Sequence, residues 1–247
     1  MGTMDFTKID ELSSKLKSMR PLNSTELKRL RDEFMVKNTY NSNAIEGNTL
    51  TLRETALVLQ GVTIAEKPVK EHLEVIGHKD AFEYVVSLAD ANTILTERVI
   101  KEIHSLVLIN DFANRGVYRR VPVSISGATH TPPQPYLVPE QMEALMVDYE
   151  GIKRDKHIIE SVAAFHLCFE GIHPFIDGNG RTGRLILNFE LIRAGLLPVN
   201  IKFSERRKYY DCFEHYYSNG HTQDTLSKLV ADYEAEELLK YIAILER

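Results

Sequence analysis

Apolar residues recur at helical spacing along most of this chain. Residues 5–19 carry Phe6, Ile9, Leu12, Leu16 and Met19 on one stripe, and Pro21 stops it. Ser24 is expected to cap a second helix faced by Leu27, Leu30, Phe34 and Met35. Residues 51–60 read as a short amphipathic helix ended by Gly61. A longer one follows over 67–89, with Leu73, Ile76, Ala81, Val85 and Leu88 inward. Thr96-Glu97 caps a helix to about residue 110, with Val99, Ile103, Leu106 and Val107 as its core face. Residues 139–153 place Met142, Leu145 and Met146 inward. The stretch 157–172 is apolar nearly throughout, so it predicts a buried central helix, with His166 a satisfied core histidine. Residues 185–194 are apolar on most sides and predict a second buried helix. Gly195 sits at its C-cap and Pro198 bars continuation. After an aromatic-rich stretch over 204–217, a terminal helix over 222–247 covers the core. Only 116–139 breaks the helical period. Val117, Tyr118, Val121, Val123 and Ile125 alternate with polar residues, Gly127 offers a turn, and four prolines close the segment. This predicts one β-hairpin, too isolated to build a sheet. The expected class is all-α, a helical bundle around a central buried helix.

Composition narrows the function classes. The chain has 247 residues, 43% hydrophobic and 26% charged, ordinary for a soluble globular protein of one large or two small domains. A net charge of −5 gives no basic footprint, so nucleic acid is not an expected partner. No apolar run is long enough to span a membrane and no signal-peptide pattern opens the chain, so a cytoplasmic location is expected. Cys168 and Cys212 lie in apolar helical patterns and read as buried free thiols. His166, Cys168 and His173 lack the spacing of a zinc site.

The chemistry concentrates in His173-Pro174-Phe175-Ile176-Asp177-Gly178-Asn179-Gly180-Arg181-Thr182-Gly183-Arg184. Gly178 and Gly180 let backbone approach a ligand closely. Unpaired N–H groups at the start of the next helix form an anion site. Arg181 and Arg184, three apart, place two guanidinium forks on neighbouring parts of one helix face, which suits a chain of phosphates. Asp177 is a hard oxygen ligand placed to hold Mg²⁺ against those phosphates. His173, just ahead, is a residue type that can titrate near neutral pH and is a candidate general base. A lone histidine, a GNG turn or an arginine pair would each be unremarkable; twelve consecutive residues combining them are not. Separately, Ser42 and Glu46 share a face of one helical turn and Gly47 is a plausible stop.

The twelve-residue segment resembles the Fic family motif H-P-F-x-D-G-N-G-R-T-G-R at every defining position, and a looser resemblance runs from about residue 42 to about 217. The resemblance implies a protein adenylyltransferase that moves AMP from Mg-ATP to a Ser, Thr or Tyr hydroxyl, with His173 as base. Asp177 would hold the metal, and Gly178, Asn179, Gly180, Arg181, Thr182, Gly183 and Arg184 would bind the nucleotide. It makes Ser42, Glu46 and Gly47 an inhibitory motif, S/T-x-x-x-E-G/N, whose Glu46 pairs with Arg184. It makes the hairpin a flap on which a protein substrate docks through Val123, Ser124, Ile125 and Ser126. It places Tyr209 and Tyr210 at the adenine pocket, and expects a nucleoside-contacting asparagine near 217 or 218, where only Asn219 stands. The implied organisation is an N-terminal region over 1–95 with the inhibitory helix at about 41–47, a core over 96–218, and a C-terminal helix within 219–247. Self-modification, with Ser42 a candidate, and a homodimer are both compatible with it. Removal of AMP, transfer of another nucleotide, and a non-catalytic nucleotide-sensing module remain alternatives.

Overall fold

A computed structural model describes residues 4–125 and 130–246. Among these the regular elements are helical: α1 (Thr7–Ser18), α2 (Ser24–Ile45), α3 (Leu52–Leu59), α4 (Val69–Asp90), α5 (Glu97–Val107), α6 (Val138–Asp155), α7 (Ile158–Ile172), α8 (Asn179–Arg193), α9 (Arg206–Ser218) and α10 (Asp224–Leu245). The all-α class is therefore observed. Helices α7 and α8 form the centre. One apolar cluster joins their Phe165, Phe169, Leu185 and Phe189 to α4, α5 and α6. A second joins their Ile159, Leu167, Leu187 and Leu191 to α1, α9 and α10. A helix apolar on all sides is stable only when covered on all sides, and each fully buried Leu or Phe contributes roughly 1.5–3 kcal/mol. That two-sided burial fixes the segment between α7 and α8, which carries the motif.

Several boundaries differ from expectation. The cap of α2 is Asn23, whose side chain accepts from the Thr25 and Glu26 N–H groups in a capping box; Ser24 is the first helical residue. The helix then runs unbroken to Ile45, so Ser42 lies in the last turn of a 22-residue helix that ends at Glu46 and Gly47. On α4 the fully buried face is His72, Val75, His78, Ala81, Phe82 and Val85, while Leu73, Ile76 and Leu88 are half-buried. The helix touches α2, α3, α5 and α8 together, so apolar periodicity alone does not fix its register. Helix α5 stops at Val107.

The described residues of 116–138 contain no strand; the turn expected at Gly127, and Ser126 with it, lie outside the described residues. Pro122, Pro132, Pro133 and Pro135 lack the N–H groups a ladder needs. Arg119 takes the carbonyls instead, donating to Val121, Pro133, Ile172 and His173. Among the described residues no helix is long and apolar enough to cross a membrane. Cys168 is half-buried, Cys212 is buried, and both are free thiols.

Gly77 marks where α4 meets α5: a Cβ there would collide with the Leu106 carbonyl and lie 3.1 Å from the Ile109 side chain. Backbone cannot yield as a side-chain tip does. Gly77→Ala is predicted to lower unfolding free energy by about 1–3 kcal/mol, read by urea denaturation. An unchanged midpoint would contradict this packing.

Candidate active site

The segment from His173 to Arg184 begins where α7 ends. His173 caps α7 in the left-handed region (φ 49°), with its N–H donating to the Phe169 carbonyl. A non-glycine residue holds that conformation only when its surroundings impose it. Arg119, a buried side chain, supplies the constraint: its Nε donates to the His173 carbonyl at 2.8 Å, and its backbone N–H donates to Pro174. Asn179 then staples the loop, accepting from the Phe175 N–H at 2.8 Å and donating to the Phe175 carbonyl at 2.9 Å. Its side chain is thus consumed inside the protein. Gly178, with φ 77°, opens α8.

His104 of α5 fixes the outer side. The Gly116 N–H donates to its Nδ1 at 2.8 Å, so the proton sits on Nε2, which donates to the Asp177 carbonyl at 2.9 Å. The ring stacks on Phe175 with centroids 3.6 Å apart. Burial pushes its pKa down to about 4. Nothing in the spacing of α5 distinguishes His104 from an ordinary core residue, and nothing separates Arg119 from its neighbour Arg120. Both are visible only in three dimensions.

The two motif arginines are buried. Arg184 is 5% exposed; its Nε donates to Ser42 Oγ at 3.0 Å, and its Nη2 donates to the Ser42 carbonyl at 2.9 Å and to Glu46 Oε1 at 2.8 Å. The Glu46 carboxylate rests on the Cα of Gly180, where a side chain would collide with it. An anion therefore already sits on the first turn of α8, where helix N–H groups and dipole attract one. Arg181 is 2% exposed, with Asp177 Oδ1 3.3 Å away and Glu74 Oε1 of α4 3.6 Å away. Asn48 ties Glu74 to the end of α2, donating to its Oε2 at 2.9 Å. Glu74 carries no motif signal and was not anticipated.

Gly183 faces α7: a Cβ there would lie 2.6 Å from Glu170 Oε1 and 2.8 Å from the His166 ring. Thr182 is buried. Tyr209 is buried with its hydroxyl 2.6 Å from His166 Nε2, and Tyr210 is half-exposed and donates to the Ile45 carbonyl. Asn219 caps α9, its amide directed to His215. His173 Nδ1 lies 3.3 Å from the Glu170 carbonyl. Asp177 is 49% exposed, its Oδ1 accepting from the Gly178 N–H at 2.6 Å. Of the flap residues, Val123, Ser124 and Ile125 are described and carry no strand.

Burial dominates the titrations nearby, and the two buried guanidiniums add to it at several of them. Burial, then repulsion from Arg184, pushes His166 down to about 3; burial, Arg184 and Arg181 do the same to His78. Burial also lowers His173. Glu170 moves the other way, up to about 8, through burial and then the neighbouring Glu46 charge.

A family model described as Fic/DOC matches residues 94–191. The structure superposes on a solved fragment of a Fic-1 variant from C. elegans with TM-score 0.83 at 31% identity, covering 96% of this chain and 71% of that fragment. The chain belongs to the Fic/DOC family. A Fic domain containing signaling protein from Bacteroides thetaiotaomicron also matches, with TM-score 0.89, 29% identity and 97% of each chain covered. Protein adenylyltransferase Fic of Nematostella vectensis is 42% identical over 83% of this chain and 48% of its own length. That of Aedes aegypti is 36% identical over 83% of this chain and 42% of its own. The chain thus spans about half the length of the curated relatives it matches.

The buried histidines of this Fic/DOC family chain predict an acid limit. His104, His78 and His166 have folded pKa values below the ordinary 6.5, so the unfolded chain takes up protons first as pH falls. Their contribution is complete above 6.5 and is lost as pH falls from 6.5 to about 4 for His104 and to about 3 for His78 and His166. Urea denaturation should show unfolding free energy falling across that window, less steeply in His104→Gln. A flat profile would contradict neutral burial.

Proposed function

We propose that this chain is a protein adenylyltransferase, moving AMP from Mg-ATP to a protein Ser, Thr or Tyr hydroxyl, and that Glu46 holds it inactive. One observation carries the reading: a carboxylate from α2 occupies the helix N-terminal anion site and is bonded to Arg184 at 2.8 Å. The names of the curated relatives support the same activity.

The α7 geometry supports His173 as base. Its Nδ1 faces the Glu170 carbonyl, which favours the proton on that nitrogen and leaves the Nε2 lone pair for a substrate hydroxyl. The hydroxyl proton passes to Nε2 as the oxygen attacks the α-phosphorus; the bond to pyrophosphate breaks on the opposite side. Arg181 and Arg184 offset the charge of the β- and γ-phosphates, and the α8 N-terminus seats the chain of phosphates. Asp177 fits a magnesium ion that binds mainly through substrate phosphates: it offers one hard, half-exposed carboxylate, with Lys70 3.9 Å from Oδ2. When bound, such an ion would neutralise phosphate charge. The segment Val123 to Ser126 would hold a target backbone by strand addition, Ser126 lying outside the described residues.

Arg184 cannot pair fully with Glu46 and a γ-phosphate together. With Glu46 in place the tail is displaced and the α-phosphorus misaligned, which costs on the order of 100-fold in rate. Glu46→Gly is therefore expected to raise incorporation of AMP from labelled ATP by about that factor; unchanged labelling would overturn the inhibitory role. His173→Ala in the Glu46→Gly background is expected to abolish labelling while calorimetry still detects ATP. Persistent labelling would remove His173 from the base role.

A further inference from the structure

We propose that Glu170 is a positioning residue for His173, its carboxyl steadying the imidazole through Nδ1 while Nε2 takes the substrate proton. The proposal rests on the adenylyl-transfer reading for the identity of that proton's donor, not for the pairing itself.

Both polar groups of Glu170 face one nitrogen. In the last turn of α7 its carbonyl lies 3.3 Å from His173 Nδ1, and its Oε2 lies 3.8 Å away. The side chain is 12% exposed, and Oε1 is buried without a hydrogen-bond partner. A buried polar atom left unpaired is costly and calls for an explanation. The carboxyl fits there because residue 183 has no side chain, a Cβ at that point falling 2.6 Å from Oε1.

The titratable and charged groups around the pair come from four helices and two loops. Glu46 on α2 and Arg184 on α8 act on Glu170, which in turn acts on Tyr209, Tyr210 and Tyr217 of α9; His166 is its neighbour on α7 across Gly183. His173 itself senses Glu46, then Arg119 and Asp177. With Glu46 latched, burial and the Glu46 charge push Glu170 up to about 8, so at neutral pH it is mostly protonated and gives the imidazole no counter-charge. Withdrawal of Glu46 removes one of those causes and leaves the attraction of Arg184. An ionised Glu170 at this distance favours the imidazolium.

The step balances. The hydroxyl proton moves to Nε2, the oxygen–phosphorus bond forms, and the bond to pyrophosphate breaks with its electron pair on the leaving oxygen. The Nδ1 proton stays on the ring, whose transient positive charge the Glu170 carboxylate offsets. Glu46 thus withholds both the seat of the phosphate tail and the Glu170 counter-charge, while its own charge also acts on the imidazole.

Ring-labelled histidine NMR on the full chain without nucleotide tests this, with His173 assigned by its loss in His173→Ala. Interacting groups titrate together, so the His173 signal should show a second step near pH 8 in the wild type. That step should fall to lower pH in Glu46→Gly and vanish in Glu46→Gly/Glu170→Gln. An identical His173 titration with and without Glu170→Gln overturns the proposal. In labelling assays on the Glu46→Gly background, kcat should rise through the second step. Glu170→Gln should remove that rise and lower kcat on the order of tenfold, with KM for ATP unchanged. A carboxyl that only packs would leave the pH profile intact. Should Glu170→Gln fail to fold, Glu170→Asp must move the second step, and an unmoved step overturns the pairing. A second step without any labelling would sink the transferase reading and leave the pairing standing.

Discussion

A guanidinium buried at the start of a helix has to be given an anion. Arg184 is 5% exposed, and without a carboxylate its charge would be stranded among apolar residues of α7 and α8. Glu46 answers that need from a helix more than a hundred residues earlier in the chain, and its carboxylate is 35% exposed, within reach of solvent and ligand. On the proposed reading, the same bond completes the fold and blocks the anion site. A phosphate would replace the carboxylate without leaving Arg184 unpaired, which would make the exchange a competition between two anions rather than an unfolding event.

The surrounding structure keeps that competition sharp. His78 and His166 are buried close to both or one of the arginines and are held neutral, so no further positive charge spreads the field. Arg181 has its own carboxylates in Asp177 and Glu74, and Asn48 links Glu74 to the end of α2. Withdrawal of Glu46 would be felt along that link as well as at Arg184. His104 and Arg119 grip backbone carbonyls of the loop on its other side, which holds His173 in its left-handed turn whether or not Glu46 is in place.

Much of this was legible in the sequence. The helical periodicities over α1, α6, α7 and α8 gave elements within a few residues, because each has one dominant apolar stripe or is apolar throughout. The motif was legible because its chemistry is contiguous. The register of α4 was not, since a helix touched by four others has no single inward face. The paired hairpin was expected from alternation in Val121, Val123 and Ile125, but alternation says nothing about prolines withholding donors or an arginine claiming the carbonyls. His104, Glu74 and Arg119 were missed for one reason: each touches the motif from elsewhere in the chain, a relation that leaves no spacing. Glu170 stands three residues before His173, and one polar residue in an apolar helix did not mark it out.

The central claim is that Glu46 and the end of a phosphate chain compete for Arg184. Calorimetric titration of wild type and Glu46→Gly with ATP and, separately, with AMP tests it directly. The account predicts that the substitution tightens ATP binding markedly and leaves AMP binding nearly unchanged, because only ATP carries phosphates to the contested guanidinium. Equal effects on both nucleotides, or none on ATP, would contradict it.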